Sequence, residues 1–353
     1  MIRIGILGSA SYTAGELLRI LINHPEVEIT YLESTSSIGK RADQIHRFLK
    51  GLFNQEFKDY DIQEIAKSCD LVFVCKSQGK SLENVADLFK NSEDIKIIDL
   101  GGDFRLKDSE LYPKWYKFEH KYPELLQKAV YGLSELYTEE IRSARLISNP
   151  GCYATSIILG LVPALTENVI ETNSILVSAY SGISGAGRTY KEGFNHFLDL
   201  YGNARAYRVG SHQHTPEIEQ ILSEFAHKSI VTTFVPHVLP IDKGILSTIW
   251  AKPNKNLSLD KAHEIYQEYY KNKPFIRICD KGDYPQIADV VDTNFCDIGL
   301  EYDPRTNSLI IFSAEDNAIK GASGQAVQNM NLMCGFPETL GLPMANRRTS
   351  SVG

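Results

Sequence analysis

Along the first third of the chain, apolar residues come in short unbroken runs separated by stretches with helical spacing. Ile2–Leu7, Val27–Leu32, Leu71–Cys75 and Ile95–Leu100 have strand length, and a 3.6-residue pattern occupies Ala14–Ile22 and Leu82–Lys90. Strands that are apolar on both faces need cover on both faces. The pattern therefore predicts a parallel sheet between two helical layers, a Rossmann-like doubly wound α/β domain over residues 1–149. Near Gly151 the pattern changes. A helix over Cys152–Leu161 precedes strands at Ser174–Ala179, Ile230–Pro236, Gly244–Ala251 and Ser308–Ala314, with sparser helices at Glu217–His227 and Leu259–Tyr270. This predicts an α+β domain over 150–315, a mixed sheet with helices on one side. Ala318–Met333 reads as a closing helix, and Asn346–Gly353 as a polar, frayed end.

Composition narrows the function. The 353 residues suit two domains, and 37 Lys and Arg against 44 Asp and Glu leave a formal net charge of −7. Such a surface repels nucleic-acid phosphates, so no nucleic-acid partner is expected. No run approaches the roughly 18–20 apolar residues of a membrane span, so no membrane partner is expected either. Six scattered cysteines without a CxxC pair predict reduced thiols in a cytoplasmic protein, with no disulfide frame and no metal site.

Two segments carry candidate chemistry. Between the first strand and first helix lies Gly8-Ser9-Ala10-Ser11-Tyr12-Thr13, where Gly8 lets the backbone approach a pyrophosphate. Ser9, Ser11 and Thr13 offer hydroxyls in place of the missing glycines of G-x-G-x-x-G; an ordinary βα turn capped by serine is the structural alternative. Glu33 ends the second strand, where an acid favours NAD. The following Ser34-Thr35-Ser36-Ser37 with Lys40 and Arg41 favours the 2′-phosphate of NADP, which is the cofactor expected.

The second segment is Ser148-Asn149-Pro150-Gly151-Cys152. Pro-Gly breaks the chain just before a helix, which puts Cys152 where the dipole and unpaired N–H groups stabilise a thiolate and an oxyanion. The other five cysteines lack such a turn. An acid/base partner is offered by His212-Gln213-His214-Thr215-Pro216-Glu217, whose alternating histidines would share one side of an extended segment.

Taken in order, several motifs resemble the N-acetyl-gamma-glutamyl-phosphate reductase family, the arginine-pathway branch of the semialdehyde dehydrogenases. They are the Gly8–Leu17 turn, Asp99–Leu106, Tyr131–Leu136, Asn149–Cys152, Ser181–Arg188, His212–Glu217 and Asp316–Asn329. The resemblance implies an NADPH-dependent reduction of an acyl phosphate to an aldehyde through a thioester on Cys152. It implies His212 as acid/base, with His214 as the competing choice, and substrate contacts from Asn149, Arg105, Arg188, His214 and Glu217. A structural ion pair of Arg105 with Asp99 or Asp103 is the alternative for that residue. It further implies cofactor contacts from Gly8, Ser9, Ser11, Tyr12, Thr13, Ser34, Thr35, Ser181, Gly182, Ser184, Gly185 and Asn317, the last at the nicotinamide carboxamide. A small-molecule substrate, a catalytic and dimerisation role for the second domain, a homo-oligomer and a segment 316–345 that returns to the nucleotide domain are also implied.

The chain departs from the family pattern where Ser11 and Ala14 replace glycines and Thr35 and Gln213 replace arginines. Tyr180 stands for a lysine, and Lys243 for an arginine. These changes leave the acyl group open. A carrier-protein-linked lysine-pathway reductase, similar over Ile45–Gly51 and Val130–Leu136, is one alternative, and a differently acylated glutamyl phosphate is another. A nucleotide-sensing protein without activity is the alternative of a different class.

Overall fold

A computed structural model of the chain describes residues 1–186, 200–254 and 257–345. The chain divides into two units, Met1–Pro150 with Ala322–Leu342, and Gly151–Gly321 with the tail from Pro343.

The first unit holds six strands: β1 (Ile2–Leu7), β2 (Val27–Glu33), β3 (Leu71–Val74), β4 (Lys96–Asp99), β5 (Val130–Tyr131) and β6 (Leu146–Ser148). They run in the order β2-β1-β3-β4-β6-β5, and every pairing is parallel. The apolar runs predicted the first four; β5 and β6, at two and three residues, are too short to show a period. All four side chains of β3 are buried, as a central parallel strand requires. Helix α1 (Tyr12–Leu21) follows β1, α2 (Ile62–Ser68) precedes β3, and α3 (Leu82–Asn91) joins β3 to β4. The order reverses at β1, so the loops leaving the carboxyl ends of β1 and β3 flank the crevice where such folds bind ligands.

The second unit is a seven-stranded mixed sheet in the order β11-β12-β13-β10-β7-β9-β8. Its strands are β7 (Leu176–Ser181), β8 (Arg205–Ala206), β9 (Thr233–Val238), β10 (Ile245–Ala251), β11 (Ile276–Ile278), β12 (Cys296–Asp303) and β13 (Ser308–Glu315). Only β7/β9 and β11/β12 pair in parallel. Helix α4 (Cys152–Thr166) lies on β10 and β13, α5 (His214–Ala226) on α4, and α6 (Leu259–Tyr270) on β11 and β12. Along β10, Ile245, Ser247, Ile249 and Ala251 are buried while Leu246, Thr248 and Trp250 face away, the period-two signature of a sheet with helices on one side.

Thirteen of the fifteen residues of α4 are buried, so its backbone must be satisfied within the protein. Pro163 has no N–H for the carbonyl of Leu159, and the hydroxyl of Tyr270 donates to it at 2.7 Å; Tyr266 donates to Gly160 O at 2.6 Å. The last helix, α7 (Gly324–Met333), belongs to the first unit and packs against α1 and β4.

Candidate active site

The Pro150-Gly151 break does what its position suggests. Gly151 is the N-cap, extended at φ −79° and ψ 150°, and Cys152 is the first residue of α4 and partly exposed. Burial pushes the thiols of Cys69, Cys75, Cys279, Cys296 and Cys334 upward, which keeps them protonated and inert.

Three neighbours shape the turn before Cys152. The N–H of Gly151 donates to Glu217 Oε1 at 2.8 Å, and Glu217 is fully buried. A Cβ on Gly151 would enter the ring of His214, so only glycine fits. Gly321, in the π-helical turn Ile319–Ser323, is pinned likewise: a Cβ there would lie 2.7 Å from Cys152 Cβ and 2.7 Å from Glu315 Oε1. Gly321 lay within the closing motif Asp316–Asn329 without a role assigned to it, and nothing in the local sequence signalled Glu315.

The two histidines come together, but not in the extended form expected. Gln213 is helical at φ −63° and ψ −17°, and His214 already opens α5. Their rings meet edge to face, 4.7 Å apart at 74°, because the chain turns between them. The N–H of His214 donates to Nδ1 of His212 at 3.1 Å, so the neutral imidazole carries its proton on Nε2. Tyr153, Tyr207 and Phe234 enclose the His212 ring at 5.5–5.6 Å between centroids. Burial, then the neighbouring His214 and Arg208, lower its pKa from 6.5 to about 2. Tyr153 anchors this wall through its hydroxyl, which donates to His237 O at 2.8 Å.

In the first unit, the predicted substrate residues Asn149 and Arg105 turn inward. Asn149 is 1% exposed; its Nδ2 donates to Ala322 O and its Oδ1 accepts from Asn329 Nδ2, both at 3.0 Å. Arg105, also buried, donates from Nε to Asn149 O at 2.8 Å, while Asn149 N donates to Asp99 O at 2.8 Å. Asp99 and Asp103 are both buried, and burial raises both pKa values, with the charge of Asp103 adding to the rise at Asp99. The Arg105 charge favours the ionised form of Asp99, and its hydrogen bonds to Asn149 O and Leu100 O hold the Asn149-Pro150 segment.

The motifs Tyr131–Leu136 and Asp316–Asn329 meet in a buried polar network. Asn329 Nδ2 donates to Gly132 O at 2.7 Å, its Oδ1 accepts from Ser134 Oγ at 2.7 Å, and Gln325 Nε2 donates to Ser134 Oγ at 2.8 Å. The amides are buried because α7 is covered all round, and each therefore needs a partner.

The nucleotide turn is held from several sides. Gly8 sits at φ +71°, and a Cβ would lie 2.6 Å from Cys75 O, so glycine is required by conformation and by space. Glu33, 1% exposed, accepts the Gly8 N–H on Oε2 at 2.8 Å and pairs with Lys76 Nζ at 3.2 Å. Ser9 is not a surface donor as expected: it is fully buried and its hydroxyl donates to Glu33 O at 2.7 Å. Ser11 caps α1, its Oγ accepting from Ala14 N at 3.2 Å, with Tyr12 exposed and Thr13 partly exposed beyond it. Ser34 is buried with its hydroxyl 3.4 Å from Ser36 Oγ, and Thr35 is exposed. Arg41 is held in a fork by Asp43, with two contacts of 3.0 Å.

In the second unit, Asn317 Oδ1 accepts from Gly244 N at 2.7 Å and its Nδ2 donates to Ser184 Oγ at 3.0 Å. The carboxamide thus ties the Ser181–Gly185 loop to the start of β10. Ser181 is buried and donates to Gly182 O at 3.0 Å, and a Cβ on Gly182 would strike Asp242 O at 2.5 Å. Gly185 lies beside Asn317, with 3.5 Å between its ideal Cβ position and Asn317 Nδ2. Arg188 lies outside the described residues. Among the described residues no group of three His, Cys, Asp or Glu could hold a metal, and no helix is long and apolar enough to cross a membrane.

The arrangement is that of a semialdehyde dehydrogenase. Residues 3–144 match the family described as "Semialdehyde dehydrogenase, NAD binding domain", and residues 152–317 match "Semialdehyde dehydrogenase, dimerisation domain". Among solved structures, aspartate semialdehyde dehydrogenase II from Vibrio cholerae shares the fold at a TM-score of 0.72 and 16% identity, over 95% of this chain and 99% of that one. Aspartate semialdehyde dehydrogenase with NADP from Candida albicans does so at 0.69 and 14%, over 95% and 98%. Much more similar in sequence are N-acetyl-gamma-glutamyl-phosphate reductases. Those of Halothermothrix orenii (45% identical over 97% of this chain and 98% of the relative) and Citrifermentans bemidjiense (46%, over 98% and 99%) are two of them. The chain belongs to the N-acetyl-gamma-glutamyl-phosphate reductase family.

Proposed function

We propose that this protein reduces N-acetyl-gamma-glutamyl phosphate to N-acetylglutamate semialdehyde and phosphate with NADPH, through a thioester on Cys152, in cytoplasmic arginine biosynthesis. The single observation that carries this reading is Cys152 at the first position of α4, behind a glycine whose N–H is held by buried Glu217. The Cys152 thiolate attacks the acyl carbon, a C–S bond forms, the C–O bond to phosphate breaks, and phosphate leaves. N–H groups at the start of α4 and the Nε2–H of His212 are the donors for the oxyanion. A neutral imidazole suits this role, because its proton sits on Nε2 while Nδ1 accepts from His214 N. Loss of the thiolate from the reduced carbon then releases the aldehyde.

A nicotinamide dinucleotide fits the first unit because Gly8 leaves room beside Cys75 O at the start of α1; when bound, it supplies the hydride. NADP is the form we assign. Glu33 is turned inward onto Gly8 N and Lys76, so no free carboxylate meets a 2′-phosphate there, while Thr35, Ser36 and Lys40 are exposed beside it. Asn149, Arg105 and Glu217 act as positioning residues for the turn before Cys152, and Asn317 orders the Ser181–Gly185 loop. Arg188 is the substrate-anion anchor on its motif alone. The open face of the second sheet, with Leu176, Tyr180, Leu246 and Trp250 along it, suits a second copy of the chain, in keeping with the dimerisation description of residues 152–317. Trp250→Glu should then lower the mass seen by sedimentation; an unchanged mass removes this face as the contact.

The deciding assay runs in reverse: phosphate-dependent reduction of NADP by N-acetylglutamate semialdehyde. Turnover only with another semialdehyde overturns the substrate. Cys152→Ser should abolish turnover while NADPH still binds; retained turnover removes the thioester.

A further inference from the structure

We infer that His46 is a positioning residue of the cofactor turn, holding the Ser9 carbonyl so that the start of α1 can receive phosphate. The inference rests on the nicotinamide-cofactor reading of the first unit and deepens it.

His46 lies between α1 and α2 in sequence, is 5% exposed, and places its Nε2 2.8 Å from Ser9 O. A carbonyl oxygen only accepts, so the imidazole is the donor and its Nε2 carries hydrogen. Phe48 and Phe57 pack against the ring with centroids 6.0 and 6.4 Å away. A second observation points the same way. Gly15 sits inside α1, where glycine is disfavoured, and a Cβ there would lie 2.8 Å from His46 Nδ1. That helical glycine makes room for the imidazole.

The consequence follows from peptide planarity. The C=O of Ser9 and the N–H of Ala10 belong to one trans peptide and point in opposite directions. A bond from His46 to Ser9 O therefore directs the Ala10 N–H away from the imidazole. Glu33 fixes the preceding peptides, its carboxylate taking Gly8 N–H and its carbonyl taking Ser9 N–H at 2.9 Å. Glu33 and His46 together set both faces of the Gly8–Ser9 step, and the Ser11 N–H closes the turn onto Gly8 O at 3.1 Å, so the point from which α1 starts is fixed before a phosphate arrives. A phosphate-binding turn assembled in advance loses less entropy when its ligand arrives.

The test separates donor position from general packing. In glutamine the amide nitrogen stands as many bonds from Cα as Nε2 of histidine, whereas in asparagine it stands where Nδ1 does. Dissociation constants of NADPH are read from its own fluorescence on the full chain, beside kcat at saturating NADPH, iodoacetamide reaction of Cys152 and melting temperature. His46→Ala should weaken NADPH on the order of tenfold, with kcat and the thiol reaction within about twofold. His46→Gln should restore most of the affinity and His46→Asn should not. Gly15→Ala should weaken NADPH in the native background and add little to His46→Ala. Native affinity in His46→Ala overturns the inference, and so does a loss shared equally by the Gln and Asn variants. If His46→Ala fails to fold, the Gln and Asn pair decides. A native protein that binds neither NADPH nor NADH would instead break the functional reading underneath.

Discussion

Glu217 offers the sharpest separation between holding the proposed nucleophile, Cys152, and binding the substrate. Its carboxylate accepts the Gly151 N–H at 2.8 Å and is wholly buried. Glu217→Ala leaves that N–H without its anionic partner in a site closed to water. A hydrogen bond to a charged group contributes about 1.5–3 kcal/mol, which corresponds to a population factor of roughly 10–150 for the native turn. Since Cys152 starts α4 one residue later, kcat should fall about 10- to 100-fold, the scale expected of a slightly misplaced reacting atom. Iodoacetamide should also react more slowly with Cys152, because the frayed helix start stabilises the thiolate less. The NADPH dissociation constant should stay unchanged. Glu217→Gln keeps an uncharged acceptor and should cost only about three- to fivefold. Stopped-flow alkylation beside steady-state kinetics reads all of this. A rise in acyl-phosphate KM with native kcat and native thiol reactivity would refute the reasoning and make Glu217 a substrate ligand.

Three further outcomes are expected. The pKa of His212 falls from 6.5 to about 2 on folding, so the unfolded chain binds the extra proton between those values. Stability should drop as pH falls below 6.5, and the drop should be shallower in His212→Phe; equal slopes in acid denaturation would contradict the burial argument. Gly8→Ala meets both a positive φ and Cys75 O at 2.6 Å, so it should cost more than about 2 kcal/mol in chemical denaturation and abolish NADPH binding. Asn329→Leu strips partners from Gly132, Ser134 and Asn149 at once, and should destabilise by about 2–4 kcal/mol in urea unfolding; a loss under about 1 kcal/mol, the net worth of a single hydrogen bond, would mean water replaces the amide.

What local pattern could say, it said well. The four long apolar runs became β1 to β4, and Pro150-Gly151 put Cys152 at a helix start, because turns, caps and periodicity are properties of neighbouring residues. The histidine pair was visible as residues but not as geometry, since one helical residue at Gln213 replaced alternation with an edge-to-face contact.

The sequence by itself determined the class of fold and the helix start that carries Cys152. Only the tertiary structure decided which polar groups face inward. Ser9, Glu33, Asn149 and Arg105 look like ligand contacts on paper, yet each is committed to a partner inside the protein. His46 reaches Ser9 across 37 positions, Glu33 reaches Gly8 across 25, and Asn149 meets Asn329 across 180. A polar side chain turns toward whatever satisfies it once water is excluded, and that partner is supplied by the fold, not by its neighbours in the chain.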